Sequence, residues 1–351
     1  MDDFKLLLVE DGETELSTCA ASITRYKDEK NRDIVLVECR SLKDALQQLD
    51  NSFDGAIIDL KLEGQDDGGN QVVNKMIESN LRIPIAILTG TPDNAPREFA
   101  HIGVFTKGEA DAEYVKLFDK FWDVHKTGLT RIMGGRGVIE KTLSEVFLKN
   151  LLPQKEKWVI YGKADSERTE KALLRHTLCH LLQLLDEDDS SCFPEEVYFY
   201  PPLSTGIRTG SIVEENANSD YWVILNPACD LVVRSDGDYK TDQILLAKVL
   251  SQEEVFPNHS ATNLNRTQKK ELEKAYKNTK SLYYHWLPRT NFFTGGFVNF
   301  RKIEAVNKAV FDERFKSPKI QVSSSFIKDI VARFSSYYAR QGQPEIEVNF
   351  L

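Results

Sequence analysis

Five side chains in the first third of the chain have the types and placing to do chemistry on charged oxygens: Glu10, Asp11, Asp59, Thr89 and Lys107. Each follows a short apolar run. Residues 6–9 (LLLV) end in Glu10-Asp11, 56–58 (AII) in Asp59, 85–88 (IAIL) in Thr89, and 103–106 (GVFT) in Lys107. Carboxylate oxygens bind a hard divalent cation, while a hydroxyl and an ammonium neutralise phosphoryl oxygens. The set suits a cation held beside a phosphoryl group.

That chemistry needs elements that bring the five together. Residues 56–58 are too apolar to face water on either side, which is how a central parallel strand reads. In an open α/β sheet, ligands bind outside the carboxyl ends of the strands, so residues closing four parallel strands share one edge. Between the strands the spacing predicts a helix over 13–27, with Leu16, Ala20 and Ile23 on one side. It predicts another from a Ser41 cap to 49, and a third over 72–79. Pro92 and Pro96 make the next helix short or frayed. Residues 110–125 read as an amphipathic helix, with Tyr114, Val115, Phe118 and Trp122 on its apolar side. Asp66 and Asp67, in the glycine-rich loop after Asp59, read as solvated charges.

With these motifs in this order, residues 1–125 resemble the receiver domain of two-component response regulators. The resemblance implies a flavodoxin-like α/β fold with a five-stranded parallel sheet. It implies that Asp59 accepts a phosphoryl group from a histidine kinase or phosphotransfer protein. Mg²⁺ would be held by Glu10, Asp11 and Asp59. Thr89 would hydrogen-bond the phosphate and Lys107 would pair with it, and the intrinsic activity would be self-dephosphorylation. The chain departs from the family at three places. Val104 stands three before the lysine, where the family carries an aromatic residue, with Phe105 next. Gly108 replaces the proline after the lysine, and the loop after Asp59 lacks its proline.

A length of 351 residues fits two or three domains. No apolar run approaches the ~18 residues of a membrane span, so a soluble, cytoplasmic protein with no membrane partner is expected. The five cysteines are odd in number and scattered, which reads as reduced thiols. Net charge is −9 but uneven: residues 1–125 carry 14 Lys+Arg against 25 Asp+Glu (−11), and the rest 31 against 29 (+2). Such a balance gives no global electrostatic drive toward nucleic acid.

Beyond 125, Gly134-Gly135-Arg136-Gly137 reads as a hinge between helices. Helices over 138–152 and 166–185 read as an antiparallel connector. His176 and His180 lie four apart and share a face, a spacing open to zinc binding, phosphotransfer or plain packing among leucines; packing is favoured. From 193 the texture changes to short strands (197–200, 209–213, 221–231, 244–249, 282–288, 296–300). A turn lies around 235–238, a charged helix over 267–279 and a closing helix over 323–340. This mixed, β-rich α+β pattern suggests a small barrel. Cys229-Asp230 with His285 could supply a nucleophile and its base, against the blander roles of core filler, turn cap and packed histidine. The barrel texture faintly resembles growth-inhibiting ribonuclease toxins, with Arg208, Thr209 and Arg234 as the local candidates. The basic stretch 266–280 beside Tyr283, Tyr284 and Trp286 combines charge and aromatics as single-strand binders do, but Glu271 and Glu273 dilute it. No helix-turn-helix pattern is present.

The expected organisation is a receiver over 1–125, a helical connector over 126–192 and a β-rich output domain over 193–351. The expected function is a phosphorelay response regulator whose output region engages a protein partner rather than nucleic acid, with a homodimer left open. The alternative is a phosphorylation-controlled enzyme, with ribonuclease chemistry as the first guess.

Overall fold

Side chains alternate across a strand, and the first five strands are apolar on both faces, so their sheet has to be covered on both sides. A computed structural model describes residues 4–135, 137–183, 191–202, 204, 206–235, 237–259 and 264–340. The chain divides into two compact units, residues 1–188 and 189–351.

The first unit opens with β1 (Phe4–Val9), α1 (Glu13–Lys30), β2 (Ile34–Cys39), α2 (Leu42–Gln48), β3 (Gly55–Ile58), α3 (Gly68–Glu78), β4 (Ile85–Thr89), β5 (Gly103–Thr106) and α4 (Tyr114–Lys126). All five strands are parallel, in the order β2-β1-β3-β4-β5. This is the doubly wound flavodoxin-like order, reversing between β1 and β3. Leu7, Val9, Ile58 and Ile87 meet Ala45 of α2 and Val72, Val73 and Met76 of α3. The alternate residues Leu6, Leu8, Ile57 and Leu88 meet Leu16 and Cys19 of α1 and Leu117, Phe118 and Phe121 of α4. Ser41 caps α2 by accepting from the Asp44 N–H at 3.1 Å. The crossover from β4 to β5 holds two 3₁₀ turns, Pro92–Asn94 and Arg97–Phe99, in place of a helix. The two prolines supply no backbone N–H there, which matches the expectation of a short or frayed element.

The same unit continues through α5 (Leu129–Met133), α6 (Val138–Glu145), α7 (Lys155–Ala164) and α8 (Ser166–Gln183). The single helix expected over 138–152 is corrected: α6 passes into a π-helical turn at Val146–Leu151 and a 3₁₀ turn at Leu152–Gln154. Pro153 is the physical cause, since its ring crowds the carbonyl four residues back and it cannot donate a helical hydrogen bond. Helix α7 then starts afresh and was not anticipated. Residues 184–185, the expected end of the last connector helix, lie outside the described residues, as does Arg136 of the glycine stretch. In that stretch Gly135 donates to the Asn51 carbonyl at 2.7 Å, so these glycines lie against the first sheet's loops.

The second unit contains β6 (Tyr198–Phe199), β7 (Ser211–Glu214), β8 (Tyr221–Ile224), β9 (Ile244–Leu250), α9 (Gln252–Val255), α10 (Arg266–Tyr276), β10 (Tyr284–Leu287), β11 (Gly296–Val306), α11 (Lys308–Arg314), β12 (Ile320–Val322) and α12 (Ser324–Ala339). Its strands form an antiparallel sheet in the order β10-β11-β9-β8-β7-β12-β6, curled into a half-barrel. Ile330 of α12 belongs to the core lined by Val223, Ala247, Val298 and Val322. Strand β11 runs six residues past the expected end at 300, with an irregular register between Val298 and Ile303 that bends it. Of the turn expected at 235–238, Gly237 donates to the Arg234 carbonyl at 3.0 Å, and Asp236 lies outside the described residues. Among the described residues no helix is long and apolar enough to cross a membrane.

Gly69, in the first turn of α3, lies so near the β3 edge that a Cβ there would stand 2.1 Å from the Asp59 carbonyl oxygen. Gly69→Ala should cost about 1–3 kcal/mol, read as a lower urea midpoint, because α3 must retreat from β3. Gly162, inside α7, has nothing within 4 Å of its own added Cβ. Gly162→Ala should instead add up to about 1 kcal/mol of stability, read as a higher urea midpoint. Equal effects at the two glycines would show that α3 is not held against the strand.

Candidate functional site

Because four parallel strands end at one level, their closing residues converge. Glu10 follows β1, Asp59 follows β3, Thr89 ends β4 and Lys107 follows β5. Glu10, Asp59 and Thr89 are buried, and Asp11 is exposed. The ligand oxygens of Glu10, Asp11 and Asp59 all lie within 4.8 Å of one another. Lys107 bridges two of them, its Nζ donating to Glu10 Oε2 at 2.6 Å and to Asp59 Oδ2 at 2.7 Å.

Backbone amides orient the same carboxylates. Gly12 N–H donates to Glu10 Oε1 at 2.9 Å, and Glu63 N–H to Asp11 Oδ2 at 2.7 Å. Lys61 N–H lies 3.4 Å from Asp59 Oδ1. Sequence reasoning missed these donors, since no side-chain type announces them. Thr89 Oγ1 accepts from the Thr91 N–H at 3.2 Å and lies 3.4 Å from the Thr91 hydroxyl, a long contact in which either oxygen can donate. The Thr89 carbonyl accepts from the Lys107 N–H at 3.0 Å, which ties the lysine to β4.

The charges do not balance. Burial is the largest influence on Glu10 and raises its pKa, although the Lys107 ammonium and the Gly12 N–H pull the other way. For Lys107, burial alone would favour the neutral amine, but its bonds to Asp59 and Glu10 outweigh that and hold the proton more tightly. One ammonium thus faces three carboxyl groups. A hard divalent cation with oxygen ligands fits this donor set, because it restores the missing positive charge.

The other candidate residues do not assemble into a second centre. Cys229 and Asp230 lie in the turn after β8, where the exposed thiol lies 3.4 Å from its own neighbour's Asp230 Oδ1. His285 is buried in β10, and the carboxylate it meets is Asp329 at 3.4 Å, not Asp230. That approach lacks hydrogen-bond geometry and leaves His285 Nδ1 without a partner. Burial, followed by the nearby Arg333 charge, pushes His285 down to about 3. A base so weak is poorly matched to chemistry near neutral pH. Thr209 spends its hydroxyl on the Asn226 carbonyl at 2.6 Å, and Arg234 donates to the Lys240 carbonyl at 3.0 Å. Arg208 is exposed. In α10, Glu271 takes His259 at 3.0 Å and Lys280 at 3.3 Å, and Glu273 takes Lys277 at 2.7 Å, so the two acids engage two of the stretch's lysines. Asp66 and Asp67 are exposed, as expected.

No known family's sequence profile matches the chain, and no curated protein does. Solved response-regulator receiver domains are similar to its N-terminal ~125 residues. One is the N-terminal domain of a response regulator/sensory box/GGDEF three-domain protein from Carboxydothermus hydrogenoformans, 18% identical over 36% of this chain and 98% of that one, with a TM-score of 0.29. Another is a receiver protein from Pseudoalteromonas atlantica, 16% identical over 34% and 98%, with a TM-score of 0.29. A receiver domain protein from Clostridium thermocellum is 18% identical over 35% and 98%, also at 0.29. The fold assignment rests on the strand order and the placing of the helices.

The neutral His285 makes stability pH-dependent in a definite direction. Its folded pKa of about 3 lies below the ordinary 6.5, so between these values the unfolded chain binds the extra proton. Its contribution is fully present above the ordinary value and is lost as pH falls toward the folded one, with a slope of at most about 1.4 kcal/mol per pH unit. Denaturation of His285→Gln and wild type across that range should show a shallower acid loss in the variant. Identical slopes would mean that the imidazole is not held neutral.

Proposed function

We propose that the first unit is a phosphoacceptor receiver of the response-regulator type. One observation carries this reading: Lys107 Nζ stands 2.7 Å from the Asp59 carboxylate, at a strand-end edge where Glu10 and Asp11 supply two more oxygens. Asp59 Oδ attacks the phosphorus of a phosphohistidine presented by a kinase or phosphotransfer protein. The P–N bond breaks, a P–O bond of an acyl phosphate forms, and the histidine nitrogen leaves with its electron pair. Lys107 then exchanges an Asp59 oxygen for a phosphoryl oxygen, and the Thr89 hydroxyl donates to another. Glu10, Asp11 and Asp59 would hold Mg²⁺, which when bound offsets negative charge on the phosphoryl oxygens. Water later hydrolyses the acyl phosphate and resets Asp59.

The second unit, in this reading, is a partner-binding output region in a cytoplasmic protein. What supports binding over catalysis is the divergence of its chemical candidates: an exposed Cys229 beside Asp230, and a buried, neutral His285 beside Asp329. An added charge of about −1.5 to −2 at Asp59 is large enough to draw in the Thr89–Thr91 loop.

A small acyl phosphate should label the wild-type chain at Asp59 in the presence of Mg²⁺. Asp59→Asn should abolish labelling. Asp11→Ala, which alters an exposed ligand, should reduce it at least tenfold and weaken the Mg²⁺ dependence. Full labelling of Asp59→Asn, or labelling indifferent to a chelator, would sink the assignment.

A further inference from the structure

His176 and His180 sit one turn apart on α8, half-buried, with their Nε2 atoms 3.4 Å from each other. The rings are close (centroids 4.6 Å) and steeply inclined (72°), and Trp158 of α7 lies 6.0 Å from the His176 ring. As a hydrogen bond this contact is poor. N–H donors prefer about 2.7–3.2 Å, and here one ring must take the Nε2–H tautomer to donate to the other across 3.4 Å. As a chelate it fits. Bonds of about 2.0–2.1 Å from two imidazoles to one tetrahedral ion put the nitrogens about 3.4 Å apart.

We propose that His176 and His180 form a second cation site, specific for a borderline first-row ion such as Zn²⁺ rather than for Mg²⁺. Imidazole nitrogen suits zinc, copper and nickel, whereas magnesium demands oxygen. Among the described residues only Glu10, Asp11 and Asp59 gather three possible ligands, so no described side chain adds a third protein ligand to the histidine pair. A site with two protein ligands is exchangeable rather than structural. Its two ligands lie on successive turns of one helix, so an ion there clamps α8 and, through the ring packed on Trp158, the α7–α8 pair.

The test is Zn²⁺ titration of the full chain by calorimetry, with Mg²⁺ in large excess to occupy the carboxylate edge, and Co²⁺ absorption as a second readout. Wild type should bind one Zn²⁺ that His176→Gln or His180→Gln binds at least tenfold more weakly. The double variant should lose that equivalent while keeping its circular dichroism. Zn²⁺ should raise the melting temperature of wild type and not of the double variant. Undiminished binding in the double variant, or binding lost on Cys179→Ser instead, would overturn the proposal. Labelling at Asp59 should be the same in all these variants, so this result and the receiver reading stand or fall separately.

Discussion

The first unit is arranged around an unfavourable concentration of negative charge. Glu10 and Asp59 are almost removed from water, at 3% and 6% exposure, and the exposed Asp11 stands within reach of both. Removing carboxylates from water costs several kcal/mol each unless they are paired and hydrogen-bonded. Lys107 supplies one pairing and the backbone amides of Gly12, Lys61 and Glu63 supply more. That compensation is incomplete, as the raised pKa of Glu10 shows. Hydrophobic burial elsewhere must hold the edge together. The sheet does this with two apolar faces, one under α2 and α3 and the other under α1 and α4.

How much of this was legible follows from the kind of strand involved. Parallel strands buried on both faces are continuous apolar runs, so β1, β3 and β4 announce themselves, while the less buried β2 and β5 still read as short apolar runs. The start of α3 was not legible. Gly68 and Gly69 are poor helix formers, and their place in the helix follows from the close approach to Leu62 and the Asp59 carbonyl. Helix α7 follows Pro153, which sits in the 3₁₀ turn Leu152–Gln154 that leads into it, and proline is tolerated at such a start. Strand β12 has three residues, too few for any period, and exists because β6 and β7 pair with it on either side.

The second unit shows a different limit. Residue types at suitable separations made Cys229, Asp230 and His285 look like a constellation, but type carries no information about which edge of a sheet a residue occupies. Strand β10, with His285, is one edge of the seven-stranded sheet, while Cys229 follows β8, with β9 and β11 between. The antiparallel order is set by tertiary pairing and cannot be read from the chain order of short strands. His285 is instead one of the buried polar groups around α12, whose Arg333 donates to the Ser281 and Tyr284 carbonyls at 2.7 and 3.1 Å.

The same alternation constrains how an event at Asp59 could be felt elsewhere. Adjacent residues of a strand face opposite sides, so Phe105 cannot stand in for an aromatic residue at 104. Phe105 packs into the face under α1 and α4, with Lys120 Nζ 5.2 Å from its ring centroid. Val104 belongs to the opposite cluster, together with Phe99, Ala100 and Ala95 of the β4–β5 crossover. An inward pull on Thr89 and Thr91 acts on the chain that leads directly into those turns. That face carries two phenylalanines, the buried Phe53 before β3 and the partly buried Phe99 of the crossover, and neither is on β5. A crossover of two short 3₁₀ turns, with few internal hydrogen bonds to break, can rearrange at lower cost than a full helix. On the proposed receiver reading, a displacement of the Thr89 loop would reach Phe99 and Val104, because both pack against the cluster on that face of the sheet.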